Sequence, residues 1–208
     1  MKILMLVLSA LVAYLLGSLN FGVIVSRLAL NIDIRDHGSG NAGTTNAYRV
    51  MGPKLAKFVI LGDALKGVLA YLAGSWLAGE YGALTAMFFV LVGHALPVFF
   101  KFRGGKCALT AAAVVGMFDW RIMLIIVSVF VITIVITKYV SLGSIMGAAV
   151  FPVMVFVWHA NLPCILTALA MSFLVIFLHR KNIKRLIAGT ESKFKVNKTN
   201  LTREDKEK

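Results

Sequence analysis

The stretch ILMLVLSALVAYLLGSLNFGVIVS, residues 3 to 26, runs for 24 positions without a charged side chain. A helix needs about 20 predominantly apolar residues to cross a hydrocarbon core about 30 Å thick, so this run predicts a membrane span. Lys2 ahead of it and the small residues Ser9 and Ala10 imitate a cleaved secretion signal, but the apolar run continues to Leu30. That continuation favours a retained helix.

The same character recurs outward from this span. Of 208 residues, 59% are hydrophobic and 15% charged. An ordinary soluble domain is roughly a quarter charged, so a water-soluble globule is excluded. Further spans are expected at about 55 to 78, 81 to 100, 122 to 140, 141 to 159 and 161 to 178, with Gly79 and Glu80 linking the second and third. Residues 107 to 118 are apolar but few, and read as a fourth, partial crossing buried in protein. The expected fold is an all-α polytopic membrane protein with seven transmembrane helices. Residues 1–192 form its single membrane domain and residues 193–208 a basic tail. Cys107 and Cys164 have no spacing to each other or to histidine that fits a disulfide framework or a zinc site, so no metal and no cofactor are expected.

Lys plus Arg total 22 against 9 Asp plus Glu, a formal charge of +13. Cytoplasmic loops carry excess Lys and Arg. With the N-terminus outside, five basic residues fall inside between Arg27 and Lys57, three between Lys101 and Lys106, one at Lys138 and ten after His179, or 19 of the 22. Merging or dropping a span puts basic clusters on both faces, so the charges support seven crossings and a cytoplasmic C-terminus. The tail cations read as contacts to anionic lipid that fix orientation.

Three polar loops fall on that inner face. In HGSGNAGTTNAYRVMG, residues 37 to 52, Gly38, Gly40 and Gly43 allow backbone N–H groups to turn toward an anion. Ser39, Asn41, Thr44, Thr45 and Asn46 add short hydrogen-bonding side chains, and Arg49 a planar fork suited to phosphate. By itself such a loop is equally a series of turns. In GHALPVFFKFRGGKCALT, residues 93 to 110, Pro97 ends or kinks a helix and Gly104, Gly105 and Lys106 open the next, so that backbone amides and an ammonium face one point. The spacing fails the P-loop pattern, since Phe100 and Cys107 stand where that pattern has Gly and Ser or Thr. An anion site is the better reading; the plainer alternative is topology alone for Lys101, Arg103 and Lys106, and a hydrogen bond within the bundle for His94. In HRKNIKRLIAGTESK, residues 179 to 193, His179, Asn182 and Arg185 share a helix face. Glu191, the only acid between Asp119 and Glu204, is expected to pair with a site cation. Asp63 and Lys66, three apart inside the second span, are expected to pair on one helical turn, either as a buried lock, the favoured reading, or as a component of the site.

Taken together, these motifs resemble the bacterial acyl-phosphate-dependent glycerol-3-phosphate acyltransferases, the PlsY family, over most of the chain from Gly38 to Glu191. SGNAGTTNAYR at 39 to 49 is similar to that family's S-G-N-x-G-x-x-N-x-x-R, GHALPVF with GGK to its second motif, and HRKNIKRLIAGTE to its third. The resemblance implies transfer of a fatty acyl group from acyl phosphate to the 1-hydroxyl of sn-glycerol 3-phosphate, giving lysophosphatidic acid and phosphate. It implies catalytic roles for Ser39, Arg49, Lys106, His179 and Asn182. Substrate contacts are implied for Gly40, Asn41, Gly43, Asn46, His94, Gly104, Gly105, Arg185 and Glu191. His179 is a candidate general base, ranked below a route in which a phosphate oxygen of the donor takes the proton. The implied partners are the two substrates, membrane lipid and a soluble enzyme that makes acyl phosphate, with no nucleic acid. The implied location is the bacterial inner membrane with the site facing the cytoplasm.

The H-x-x-x-x-D pattern of acyltransferases that use coenzyme A or carrier protein is absent after His37, His94, His159 and His179. One departure stands out: Cys107 occupies the place where the family usually has glycine. A left-handed backbone there weakens donor binding, whereas a helical one makes the change mild. Two other classes compete. A transporter predicts interrupted helices at midplane, but these motifs lie at one face. A CDP-alcohol phosphatidyltransferase needs several aspartates, and only Asp63 lies in a span.

Overall fold

A computed structural model describes residues 1–194. The basic-tail reading falls almost wholly on the remaining residues and lies outside those described.

Two helices, α1 (Lys2–Ser18) and α2 (Phe21–Leu30), divide the first apolar run, which the composition predicted as one helix over 3 to 26. The break falls at Leu19, whose backbone is extended, and at Asn20, whose side chain accepts the Val23 N–H at 3.2 Å and caps α2. Hydropathy is blind to such a break because every flanking residue is apolar. The Asn cap is its only local signal.

α3 (Thr44–Ala95) contains two non-helical breaks, at Gly52 and at Ala78–Gly79. The first lets half of the predicted 37–52 loop, Thr44–Met51, wind as helix before the long limb begins. At the second the chain reverses, as the Gly79–Glu80 link predicted: a Cβ on Gly74 would strike the Gly82 carbonyl, and one on Gly82 the Gly74 carbonyl. α1 lies on the returning limb with the same closeness, Gly17 against the Val90 backbone and Gly93 against the Tyr14 carbonyl. Small residues at such crossings are how helices pack in lipid, where burying apolar area supplies little drive.

The third predicted span stops early, at Ala95, ahead of Pro97. α4 (Ala108–Phe118), α5 (Trp120–Thr137), α6 (Val140–Trp158), α7 (Leu162–Leu178) and α8 (Arg180–Ile187) follow, with α8 bent 57° from α7. α4 has 11 residues. At 1.5 Å per residue that is about 16 Å, half a hydrocarbon core. Among the described residues, Lys2–Leu30, Thr44–Phe100, Trp120–Thr137 and Val140–Trp158 are long and apolar enough to cross a membrane, and α7 with α8 makes a fifth run. Large side chains such as Ile136, Phe173 and Leu28 point outward, the inverse of a soluble protein, and the molecule is membrane-embedded.

One apolar core joins α1, the returning limb of α3, and α4 to α7; a smaller one gathers α2, Ile34 and the start of α3. α4 packs on α3 and α5, while α7 packs on α3 and α6. The gap between these pairs holds the cavity described next.

Candidate active site

The first loop is organised by one side chain. Asn46, buried at the start of α3, accepts the Ser39 N–H at 2.8 Å and donates to the carbonyls of Ile34, His37 and Asn41. Gly38 and Gly40 carry the positive φ that the turn requires (62° and 70°), and the Gly43 N–H reaches Asn41 Oδ1. With its amide committed to the loop, Asn46 holds the shape of the site. Ser39 Oγ and the Arg49 guanidinium, by contrast, make no hydrogen bond among the described residues, and both line the cavity.

Arg35 ties this loop to the second. Its guanidinium is held by Asp33 (2.8 and 2.6 Å) and donates to the carbonyls of Phe100 and Arg103 at 2.7 and 2.9 Å. The Arg35 fork beside Asp33 holds that carboxyl well below the usual carboxylate range. The sequence reading assigned Arg35 only to topology; nothing in the loop's pattern marks two carbonyls 65 and more positions away.

The Gly104–Gly105–Lys106 segment departs from its expected geometry. The N–H groups of Gly104 and Gly105 bond the carbonyls of Ala95 and His94 at 3.1 and 3.0 Å. They complete the C-terminal carbonyls of α3 and are not aimed at an anion, because a helix end leaves acceptors that must be satisfied. The glycines serve close approach: a Cβ on Gly104 would overlap the His94 carbonyl and one on Gly105 the His94 ring. The free amides lie one step later, at the uncapped N-terminus of α4, where Ala108 and Leu109 line the cavity. Cys107, just before it, is left-handed (φ 68°), and its buried thiol bonds the Leu91 carbonyl at 3.2 Å.

The third motif forms a chain of polar contacts. Lys106 Nζ donates to Asn182 Oδ1 at 2.6 Å, Asn182 Nδ2 to Glu191 at 2.6 Å, and Arg185 Nε to Glu191 at 2.6 Å. Ser141 of α6, which the sequence reading missed, adds 2.7 Å from its hydroxyl. Its only signal is the run of small residues Ser141, Gly143, Ser144 and Gly147 along α6. Glu191 thus pairs with a site cation, as its isolation in the sequence predicted. Burial works against its charge, yet the donors from Asn182, Ser141 and Arg185 outweigh it and hold the carboxyl below its ordinary range. Burial, with Arg185 nearby, lowers Lys106 to about 8. Burial pushes His179 down to about 4, so its ring is neutral; Nδ1–H donates to the Val175 carbonyl at 2.8 Å, leaving the Nε2 lone pair free. Phe194, whose N–H bonds the Lys138 carbonyl at 2.7 Å and whose ring meets Tyr48, ties the segment after Glu191 to the end of α5 and to α3.

All fourteen candidate residues line one cavity of about 1070 Å³. Ser39, Gly40, Asn41, Gly43, Asn46 and Arg49 come from the first loop, His94, Gly104, Gly105 and Lys106 from the second, and His179, Asn182, Arg185 and Glu191 from the third. Beyond this polar end the walls turn mostly apolar: Ala108, Ala111 and Ala112 of α4, Ile126 and Phe130 of α5, Gly143 and Gly147 of α6, Met171 and Val175 of α7. Inside α3, Asp63 and Lys66 pair at 2.8 Å, as their spacing predicted.

A helical membrane protein whose cationic pocket opens into an apolar channel is built for a substrate that is anionic at one end and lipid-like at the other. Residues 7–189 match the glycerol-3-phosphate acyltransferase family, and the chain belongs to it. It is 48% identical to a glycerol-3-phosphate acyltransferase of Thermoanaerobacter sp. (strain X514) over 90% of this chain and 94% of that one. To the Bacillus subtilis (strain 168) glycerol-3-phosphate acyltransferase it is 42% identical, covering 89% and 95%. The crystal structure of PlsY (YgiH), an integral membrane glycerol 3-phosphate acyltransferase in its glycerol 3-phosphate form, superposes with a TM-score of 0.86 at 33% identity, over 91% of this chain and 96% of that one. The lysophosphatidic acid form gives 0.84 at 32% identity, over 92% and 96%. By family this protein is a membrane acyltransferase.

Proposed function

We propose that the chain transfers a fatty acyl group from acyl phosphate to the 1-hydroxyl of sn-glycerol 3-phosphate, giving lysophosphatidic acid and inorganic phosphate. The observation that carries this reading is the two-ended cavity, with Arg49, Lys106 and Arg185 at the polar end and apolar residues of α4 to α7 at the other. Two phosphorylated substrates bring roughly three to four negative charges, which these cations and the α4 N-terminus offset. The glycerol 3-phosphate and lysophosphatidic acid forms of the PlsY neighbours support the acceptor and the product.

In the reaction the glycerol hydroxyl oxygen attacks the acyl carbonyl carbon, and the bond from that carbon to the phosphate oxygen breaks. Arg49, Lys106 and Arg185 stabilise the phosphate as it leaves. His179 Nε2 accepts the hydroxyl hydrogen bond and orients the nucleophile, but a ring titrating at about 4 is a weak base. The departing phosphate therefore takes the proton. An acyl-enzyme is disfavoured: the Cys107 thiol is bonded to Leu91, and no histidine or carboxylate bonds Ser39 among the described residues.

We place residues 1–192 as one membrane domain in the bacterial inner membrane, with seven crossings, the N-terminus outside and the site facing the cytoplasm. A soluble enzyme supplies acyl phosphate. The test is turnover by the purified protein with glycerol 3-phosphate and either acyl phosphate or acyl-CoA. Turnover with acyl phosphate alone supports the reading; turnover only with acyl-CoA, or with neither, overturns it.

A further inference from the structure

Asp63, Lys66 and His94, 1%, 2% and 3% exposed, form a cluster inside α3 that the reaction above leaves unused apart from the His94 backbone. Lys66 Nζ lies 2.8 Å from Asp63 Oδ1, 2.8 Å from the Leu19 carbonyl at the α1/α2 break, and 2.7 Å from His94 Nδ1. An ammonium has three N–H donors and no acceptor. Lys66 forms an ion pair with the Asp63 carboxylate, and an ammonium can only donate along the 2.7 Å contact, so His94 Nδ1 accepts. Asp63 is 3.6 Å from that nitrogen, too far to take its proton in a hydrogen bond. The neutral ring then carries its hydrogen on Nε2.

Nε2 is the ring atom nearest Gly105: a Cβ there would overlap it. Among the described residues none bonds Nε2, and His94 lines the cavity. A simple ionic lock needs only Lys66 and Asp63. It does not need the ammonium on a histidine under the glycine loop, and buried ionisable groups at membrane depth are costly to retain without purpose.

We infer that Lys66 and Asp63 are positioning residues that fix His94 as the Nε2–H tautomer, so that this N–H donates to a phosphate oxygen of the substrate held at the Gly104–Lys106 loop. The identity of that oxygen rests on the proposed function; the tautomer rests on the Lys66–Asp63 ion pair and the 2.7 Å contact from Lys66 to His94.

Histidine-labelled full-length protein in lipid nanodiscs, read by nitrogen NMR, tests the inference, with His94→Gln assigning the signal. The expected spectrum has a bare Nδ1 and a protonated Nε2 that shifts on titration with inorganic phosphate. Lys66→Met, checked for folding, is expected to lose that pattern and raise the KM for phosphorylated substrate about tenfold with a smaller change in kcat, and Lys66→Arg to restore most of it. A merely structural lock would lower thermal stability with KM unchanged. A protonated Nδ1 in the wild type, or an unchanged KM in folded Lys66→Met, overturns the inference. Should Lys66→Met not fold, the phosphate titration decides: a shifted His94 Nε2 supports it and an unmoved one overturns it. The expected spectrum alongside no turnover with acyl phosphate would instead sink the proposed donor and leave the tautomer standing.

Discussion

Lys106 Nζ lies 2.6 Å from Asn182 Oδ1, a contact between residues 76 apart that joins the second motif to the third. Through Asn182 Nδ2 the same amide reaches Glu191, and through Glu191 it orders Arg185. Asn182→Ala removes an acceptor from an ammonium and a donor from a carboxylate together. With each such bond contributing about 1.5 kcal/mol or more, kcat/KM is expected to fall about a hundredfold. Asn182→Asp, which faces Glu191 with a like charge, should fall at least as far. Steady-state kinetics with both substrates checks this.

Lys106 also sets an alkaline limit. A lysine lowered to about 8 is charged at neutral pH and loses its proton as pH rises through that value. The free enzyme's kcat/KM is therefore expected to decline above about pH 8, while Lys106→Arg, less active overall, should show no such limb below pH 10. A flat wild-type profile to pH 9.5 would count against Lys106 as the phosphate-binding cation.

Cys107 takes the strained branch of the expectation from sequence, since its φ of 68° is one that L side chains adopt at a cost of about 1 kcal/mol. Cys107→Gly should raise the Tm slightly and lower the KM for acyl phosphate, and an unchanged donor KM would remove the idea. Cys107→Ser should stay active; its inactivation would revive a nucleophilic thiol.

Gly105→Ala is expected to fold yet lose most activity, because its Cβ displaces the His94 ring from the loop. A thermal melt within a few degrees of wild type with turnover reduced at least about tenfold is the expected pair of readings. Wild-type kcat/KM would show that the contact is slack.

Arg35→Ala strips donors from the Phe100 and Arg103 carbonyls and a partner from Asp33. A loss of about 2 to 3 kcal/mol in stability is expected, with Arg35→Lys recovering less than half because an ammonium cannot span the same carboxylate and carbonyls. Thermal unfolding in detergent measures both.

Much of the architecture was legible without coordinates because lipid imposes it: a run such as residues 122 to 140 has nowhere to go but a membrane helix. The link at Gly79 and the stop before Pro97 were legible for the same kind of reason, local backbone chemistry. The break at Leu19 was not, since Asn20 stands among apolar residues that leave the hydropathy unbroken.

At the site, sequence alone selected residues that meet. Gly38 to Arg49, Gly104 to Lys106 and His179 to Glu191 are recognisable because three such motifs follow one another on one face of the chain, although the first alone reads equally as turns. What each does depended on the fold. Hydrogen-bond partners are fixed by distances across the chain, which local pattern does not encode. Only the tertiary structure directed the Gly104 and Gly105 amides into the end of α3, committed Asn46 to its own loop, and brought Ser141 to Glu191 and Lys66 to His94.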